Sequence, residues 1–451
     1  MKKALVTVAA LGLVAGVASN AAAVDFSVKG KYMLEGYSIS DTTANTAGVD
    51  LAGPSDSDAY WVHTFQILPT MKVNDKVSMS GDIRIFKEAM WGTGQDDGTT
   101  YLDFDKIWMD YMSPVGKIRV GRVEIATFGG SFLNSSASGN RIMWWPSFVT
   151  KPWELLLFTQ KSTEGDGPTV EGANAKSDAD TDVYKAYIAH TSDAGKGAIE
   201  YIYTRNANSA TLDETGEPNS LDNHSIGLWG KYKLSNFTIE AEAAHKWGDA
   251  SNTEDTMTVT DWDAWAAMLD VTANLNNLNV GLMYFYASGD SQSQDSDNEA
   301  AMSAFGGGTG DDFMPLYILT GDHTGILNDD RAGFGDGQYA GVAAAGVHAF
   351  ILHADYKVSD KLTLKGSIAY AQADEETQVN NAGAYQGGGY AGRDDEYGWE
   401  YNIGAAYKLL DNLTYEAHFG YLDTGDFFKS SATNDDVNEI TLMSHHLTMT
   451  F

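Results

Sequence analysis

The C-terminal stretch from Val437 to Phe451 constrains the fold of this chain more than any other segment. A period of two places successive side chains of an extended chain on opposite faces of a β-strand. The stretch is therefore predicted to be a strand with one mostly apolar face and a terminal aromatic residue. The two alternating sets are Phe451, Met449, Leu447, His445 and Met443 on one face, and Thr450, Thr448, His446 and Ser444 on the other.

This stretch resembles the closing strand of bacterial outer-membrane β-barrels, in which the insertion machinery reads the C-terminal aromatic residue. The resemblance implies that Phe451 contacts that machinery, and that lipid and lipopolysaccharide of the cell outer membrane surround an integral barrel. His445 stands where an apolar residue is usual in that family. The rest of the chain must therefore show strand periodicity as well.

Residues 1–23 have the three-part organisation of a secretory signal peptide. Lys2 and Lys3 precede the apolar run from Ala4 to Val17, and small residues end at Ala21 to Ala23. The apolar run is shorter than the roughly 20 residues that a membrane-spanning helix requires. No later stretch is long and apolar enough to span as a helix, so a membrane-embedded chain must cross as a closed barrel.

Residues 24–451 contain no Pro- or Ser-rich linker, and we predict that they form a single barrel domain. The absence of Cys excludes disulfides and thiolate metal sites. Aromatic residues make up 12% of the chain, with 47 Gly and only 8 Pro, a composition that suits barrel strands and aromatic girdles. A formal net charge of −33 disfavours nucleic acid as a partner.

Alternating runs are separated in turn by short and long polar connections. Asn74-Asp75 and Asp360-Lys361 are short turns, whereas Ser209 to Asn223 and Gln372 to Asp395 are long loops. This asymmetry is typical of a transmembrane antiparallel β-barrel with short periplasmic turns and long extracellular loops. The all-β prediction is about 18 strands. The predicted number of strands falls to about 16 if the segment Arg141 to Phe148, which contains Pro146, belongs to a loop.

The most regular alternation runs from Tyr397 to Leu409. Its aromatic and aliphatic members, from Tyr397 onward, are predicted to face lipid, and Glu400 and Asn402 the lumen. A barrel of this strand number encloses a lumen too wide for strand side chains to fill. We therefore expect a channel, unless other segments fold inward.

Two segments are candidates for folding into the lumen. Residues 128–140 form the third long connection, which in general porins bends inward, and Phe132 and Leu133 would narrow the pore there. An ordinary surface loop is the alternative for this segment. Residues 289–346 are too long for a structureless connection of a compact domain. The apolar run around Phe313 to Leu319 should pack on the lumen or on the barrel mouth.

The Phe-x-Pro-Leu patch from Phe313 to Leu316, the chain length and the charged strands before the third loop resemble the alginate-export-like porins, an 18-stranded family. The resemblance extends loosely over the mature chain and implies an outer-membrane channel. The resemblance does not predict a substrate for this chain, because those channels have a strongly basic lumen and this chain is strongly acidic. General porins are homotrimers and alginate-export-like channels are monomers, and the sequence leaves both open.

Charged residues inside strands should point into the pore, because lipid disfavours them. The hairpin registers predict that Arg84 lies near Asp105 and that Lys106 lies near Glu124. Strict alternation cannot direct all of these residues inward, so the exceptions require either a β-bulge or a place near the periplasmic rim. The ladder either stiffens the wall or creates a transverse field, and one set of groups can do both. The predicted pore-lining residues are Arg84, Asp103, Asp105, Arg119, Arg122, Glu124, Phe132 and Leu133.

The function predicted from these patterns is a porin for passive diffusion of ions and small hydrophilic solutes, with a weak preference for cations. Carboxylates in a pore favour cations, and the remaining walls carry several. An adhesin or a barrel component of a larger complex is the alternative, and an outer-membrane hydrolase is a third. The wall carboxylates are Glu200, Glu240, Glu242, Asp270, Asp355, Glu400 and Glu416.

No catalytic motif and no cofactor site is recognisable, so we predict that the chain is not an enzyme. Asp178, Asp180 and Asp182 have the spacing of a calcium loop, but they lack its Gly and its distal Glu. A solvated loop is the simpler interpretation of these three residues. Loop carboxylates that bind divalent cations beside lipopolysaccharide are a further alternative to a cation-preferring pore.

Overall fold

The computed structural model of the protein describes the chain in several parts that together form one large β-sheet. Within them, no helix is both long and apolar enough to cross a membrane. The predicted signal peptide, residues 1–23, lies outside these parts and stays a prediction. The described residues are 24–40, 58–91, 102–124, 128–133, 137–164, 180–207, 221–253, 258–290, 297–299, 313–321, 345–375, 395–428 and 439–451.

Eighteen strands in these parts build the wall of a barrel. A two-residue segment, Asp297–Asn298, pairs in parallel with the twelfth strand and is not part of the wall. The strands are β1 Asp25–Ile39, β2 Asp58–Lys72, β3 Val77–Trp91, β4 Leu102–Ser113, β5 Gly116–Glu124, β6 Ser138–Pro146, β7 Trp153–Thr163, β8 Thr181–Ser192, β9 Gly195–Asn206, β10 Leu221–Leu234, β11 Phe237–Thr253, β12 Thr258–Leu275, β13 Leu278–Ala287, β14 Val347–Lys357, β15 Leu362–Gln372, β16 Glu396–Leu410, β17 Leu413–Thr424 and β18 Ile440–Thr450.

The sheet closes on itself because β1 pairs with both β2 and β18. Lys31 lies opposite Gln66 on one side and Thr450 on the other, and every neighbouring pair in the wall is antiparallel. Closure leaves no sheet edge whose amides would face lipid without partners. The predicted all-β antiparallel barrel is confirmed.

The count of eighteen is also confirmed, and it depends on β6. This strand covers most of the segment that could have been a loop. Pro146 is its last residue, where a missing amide does little harm to the ladder. Pairing with the next strand is shorter, since β6 pairs with β7 only from Arg141 to Trp144.

The two faces of the wall differ in polarity. In β16, Trp399 and Ile403 are 42% and 61% exposed, whereas Glu400 between them is fully buried. Tyr397 departs from the predicted pattern, because it is also fully buried and donates a hydrogen bond to the carbonyl of Gly346. A register shift opposite this point, together with positive φ at Gly398, turns Tyr397 to the inside.

The closing strand has the faces that its alternation predicts. Met443 and Phe451 are exposed on the outer face, while Ser444 is buried inside. His445 lies on the outer face, where its ring packs edge-on against Trp61 at 4.8 Å. An aromatic neighbour thus accommodates the polar residue at this unusual position.

The barrel has a short-turn end and a long-loop end. At the short-turn end, Asn74 Oδ1 accepts hydrogen bonds from the amides of Lys76 and Val77 at 2.8 and 3.0 Å, which closes the turn between β2 and β3. Two connections of the long-loop end matter below. The third loop is residues 125–137, between β5 and β6, and the seventh loop is residues 288–346, between β13 and β14.

A lysine placed on the outer face should destabilise the barrel far more than one placed inside. Leu352 is 52% exposed and pairs with Leu282 and Ile368, whereas Ser367 lies on the lumenal side. We expect Leu352→Lys to lower the free energy of unfolding from lipid vesicles by about 2 to 4 kcal/mol. The matched variant Ser367→Lys should change it much less in the same urea titration. Equal losses in the two variants would contradict the assigned faces.

Candidate functional site

The described part of the third loop, residues 128–133, lies in the lumen. Phe132 is fully buried and Phe128 nearly so, with the Phe128 ring edge-on to Tyr187 of β8 at 5.9 Å. Leu133 is half-buried against the same apolar cluster as Phe132. The predicted segment 128–140 was too long, because β6 already begins at Ser138, and residues 134–136 lie outside the described parts.

Glu242 on β11 holds the tip of the third loop. The amide of Gly130 donates a hydrogen bond to Glu242 Oε2 at 3.1 Å. Gly129 adopts a φ of +81°, and a Cβ at this position would collide with Glu242 Oε1. The loop can approach this carboxylate closely because two glycines occur where the backbone meets it.

Part of the seventh loop also lies inside the barrel. Leu316, Ile318 and Leu319 are fully buried. The amides of residues 317 and 318 both donate to Glu400 Oε1, and the amide of residue 319 donates to Glu400 Oε2, each at 2.8 Å. The apolar run predicted to pack on the lumen or the mouth therefore packs in the lumen.

The two loops meet in an aromatic contact. Phe132 of the third loop and Phe313 of the seventh lie edge-to-face, with ring centroids 5.1 Å apart. Phe285 of β13 completes the cluster, at 5.1 Å from Phe313 and 6.2 Å from Phe132. Water is excluded from this contact, since the exposure of the three rings is 3% or less. The contact of these three rings narrows the described part of the lumen from two sides.

A ladder of ion pairs lines the wall beside the third loop. Arg84 lies 3.0 Å from Asp105, and Lys106 lies 3.3 Å from Glu124. Both pairings agree with the predicted hairpin registers. Asp103 lies opposite Arg84 on the neighbouring strand. These five groups are thus close together, and Arg84 and Lys106 each have a carboxylate partner.

The bulge that the charge pattern allowed lies in β4. The register with β3 shifts between Asp82 and Ile83, so that Asp82 faces Lys106 and Ile83 faces Phe104. Asp105 and Lys106 are consequently both buried on the lumenal side. Phe104, by contrast, is 55% exposed on the outer face.

Arg119 and Arg122 have different positions. Arg119 forms a two-pronged hydrogen bond with Asp110, at 2.7 and 2.9 Å, in the short-turn half of the barrel. Arg122 pairs with Ile107, which is 51% exposed on the outer face, and donates to the carbonyl of Asp105 at 2.8 Å. Cross-strand partners share a face, so the expected lumenal position of Arg122 was wrong.

A second basic group lies in the lumen, and the sequence pattern did not predict it. Arg141 and Lys185 are both buried; Lys185 forms an ion pair with Glu200, and Arg141 lies 4.2 Å above the ring of Phe158. Arg141 also donates to Gln160 Oε1 at 2.6 Å. The alternation of β6 and β8 could have placed both residues inside, but short strands next to loops gave a weak pattern.

The candidate calcium ligands do not converge in the described structure. Asp180 is buried and forms an ion pair with Lys161, and Asp182 lies in β8. Asp178 lies outside the described residues. Among the residues that are described, no group of three His, Asp or Glu side chains could hold a metal ion.

A cavity of about 670 Å³ lies between the seventh loop and the short-turn end. Met314 and Tyr317 form its roof, and its walls carry charges of both signs. Burial and the nearby carboxylates, above all Glu416, raise the pKa of Tyr317 to about 12, so its hydroxyl remains a donor at neutral pH. The charged lining includes Lys31, Glu35, Asp355, Lys365 and Glu416.

A closed 18-stranded barrel with an apolar outer face, a charged lumen and two inward loops defines an outer-membrane porin. The sequence profile of the Alginate export family matches residues 57–440, and the chain therefore belongs to that family. The protein is accordingly an integral barrel of the outer membrane, with its long loops on the extracellular side and its short turns on the periplasmic side.

Solved structures share the fold at low identity. The crystal structure of Pseudomonas aeruginosa OccK9 (OpdG) has a TM-score of 0.55 at 10% identity, over 95% of this chain and 98% of that one. OccK8 (OprE) and OpdQ of the same organism both score 0.50, at 12% and 13% identity, over 94% of this chain and 98% of theirs. No curated protein sequence matches the chain. These likenesses show the fold alone.

Removing the Phe132 ring should widen the pore. We expect Phe132→Ala to increase unitary conductance in planar bilayers, roughly doubling it, because conduction depends on the width of the constriction. Phe350→Ala removes the same ring from the outer face, where Phe350 is 51% exposed, and should leave conductance unchanged. Unaltered conductance in Phe132→Ala would contradict the placement of the constriction at this contact.

Proposed function

We propose that the chain is a porin for passive diffusion of ions and small hydrophilic solutes, and that its pore weakly prefers cations. The family and the fold are those of outer-membrane channels. The proposal assigns no reaction to the chain. The observation that carries the cation preference is an asymmetry in how lumenal charges are compensated.

Seven basic side chains of the lumen each have a carboxylate partner. Ion pairs of this kind cancel much of each other's field in the pore, and they leave little attraction for anions. Such pairs, each within 3.8 Å, are Arg84 with Asp105, Lys106 with Glu124, Arg119 with Asp110, Lys185 with Glu200, Lys196 with Glu154, Lys231 with Glu240, and Lys365 with Glu416.

Several lumenal carboxylates have no such compensation. Glu242, Glu400 and Asp355 have no Lys or Arg within 4.0 Å among the residues that the structure describes. Backbone amides hold Glu242 and Glu400 at buried positions. Asp355 instead lines the cavity, where a carboxylate without a basic partner favours cations.

A second candidate function is a barrel component of a larger complex. The dry contact of Phe132, Phe285 and Phe313 favours it, because a lumen closed by aromatic packing needs no flux of its own. An adhesin would also be compatible with a closed lumen. Single-channel recording separates these functions from the porin, since a closed barrel gives no conductance steps.

The cation preference is tested by reversal potentials across a bilayer that separates two KCl concentrations. We expect the wild-type potential to have the sign of a cation-selective pore. Asp270→Asn combined with Asp355→Asn should move it toward zero, because both side chains lie on the lumenal wall. The sign of an anion-selective pore in the wild type would overturn the preference.

A matched pair of substitutions controls for net charge. Asp75→Asn with Asp360→Asn also removes two negative charges, but these side chains are 96% and 99% exposed in short turns. We expect this variant to keep the wild-type reversal potential. An equal shift in both double variants would mean that overall charge, and not the lumenal wall, determines selectivity.

A further inference from the structure

The contact between Glu400 and the seventh loop is unusual in its chemistry. Glu400 projects inward from β16 and is fully buried, yet its partners are mainly backbone groups rather than a basic side chain. The amides of three consecutive residues, 317 to 319, converge on its two oxygens. A buried carboxylate without hydrogen bonds would be strongly disfavoured, so the carboxylate and the loop depend on each other.

The loop segment is shaped to present those amides. Thr320 Oγ1 accepts a hydrogen bond from the amide of Leu316 at 3.0 Å and donates to its carbonyl at 3.2 Å. This closes a compact turn, and successive amides of a turn form a concave site for a negative group.

The wall is shaped to receive the segment. A Cβ at Gly404 would lie 2.5 Å from Tyr317 Oη, and one at Gly420 would lie 3.3 Å from Ile318 Cδ1. Side chains at these two positions of β16 and β17 would therefore crowd the segment. His418 beside them packs on the ring of Tyr317 at 4.7 Å. Glycine at both positions leaves room in the lumen for the loop.

The segment lies across the path of a solute. It forms the roof of the cavity on the periplasmic side, and through Phe313 it reaches the third loop. Displacing it would remove the roof of the cavity. The position of residues 313–321 thus controls the free cross-section of this part of the lumen.

We propose that Glu400 is the positioning residue that sets the size limit of the pore, by holding residues 313–321 across the lumen. This inference rests on the proposed channel function. The size limit then depends on one strand carboxylate, and substitutions there change which solutes pass without altering the loop sequence. A graded series tests it, because Gln keeps one acceptor oxygen and Leu keeps none.

Size exclusion is measured with polyethylene glycols of increasing mass in single-channel recordings. We expect both the conductance and the mass of the largest glycol admitted to increase from wild type to Glu400→Gln and again to Glu400→Leu. The conductance of Glu400→Leu should be severalfold that of the wild type. The control Asp411→Asn removes the same charge from the exposed short turn after β16 and should behave as wild type. Unchanged exclusion in Glu400→Leu would overturn the proposal.

A second readout does not require conduction. The chain contains no Cys, so Leu319→Cys introduces a single thiol at a fully buried position. A charged maleimide should label it slowly when Glu400 is present and at least tenfold faster in the Glu400→Leu background. Equal labelling rates would overturn the positioning role. Heat-modifiable migration on gels identifies the folded barrel in each variant.

A cross-link between the loop segment and the wall distinguishes the position of the segment from the chemistry of the Glu400 side chain. Cysteines at Tyr317 and His418, whose rings are in contact, can be joined by a short dithiol-reactive cross-linker. In the Glu400→Leu background, cross-linking should restore the wild-type exclusion limit, whereas a wide pore after complete cross-linking would contradict the proposal. If the wild type gives no conductance steps while Glu400→Leu conducts, the open channel is rejected, but the role of Glu400 in setting the pore size is supported. If neither protein gives conductance steps, both the channel function and the role of Glu400 are rejected.

Discussion

Hydrogen bonds from loop amides to buried carboxylates of the wall determine how much of the barrel interior is open. Eighteen strands enclose more space than their inward side chains fill. Glu242 binds the amide of Gly130 in the third loop, and Glu400 binds three amides of the seventh. The loops then meet at Phe132 and Phe313. Two acidic wall positions thereby turn a wide barrel into a constricted one.

The electrostatics of the lumen depend on which carboxylates have a basic partner. One wall carries a ladder in which Arg84 lies beside Asp105 and Lys106 beside Glu124, so that the positive charges of this part are compensated. Asp355, which lines the cavity, has no Lys or Arg within 4.0 Å among the described residues. In our proposal, buried carboxylates hold the loops that restrict the size of the pore, and acids of the cavity wall without a basic partner give the pore its cation preference.

Periodicity was sufficient to predict the barrel, its eighteen strands and the faces of regular strands such as β16 and β18. It failed where the backbone departs from regular pairing. The charge pattern left a bulge or a rim position open for Asp105 and Lys106, and it did not predict the inward turn of Tyr397 or the outer position of Arg122. A strand pattern carries no information about a local register shift until its neighbour is known. The partners of Glu400 depend on a loop distant in sequence, and no spacing rule reveals them.

Hydrogen–deuterium exchange at the amides of residues 317 to 319, in the folded and membrane-inserted protein, shows whether Glu400 holds the loop segment. We predict that these loop amides are protected to a degree comparable with those of the β16 and β17 strands, because each donates to Glu400 in a fully buried site. Exchange as fast as that of an exposed short-turn amide, such as that of Asp75, would contradict this prediction. The segment would then not be held in the lumen, and the constriction would need another cause.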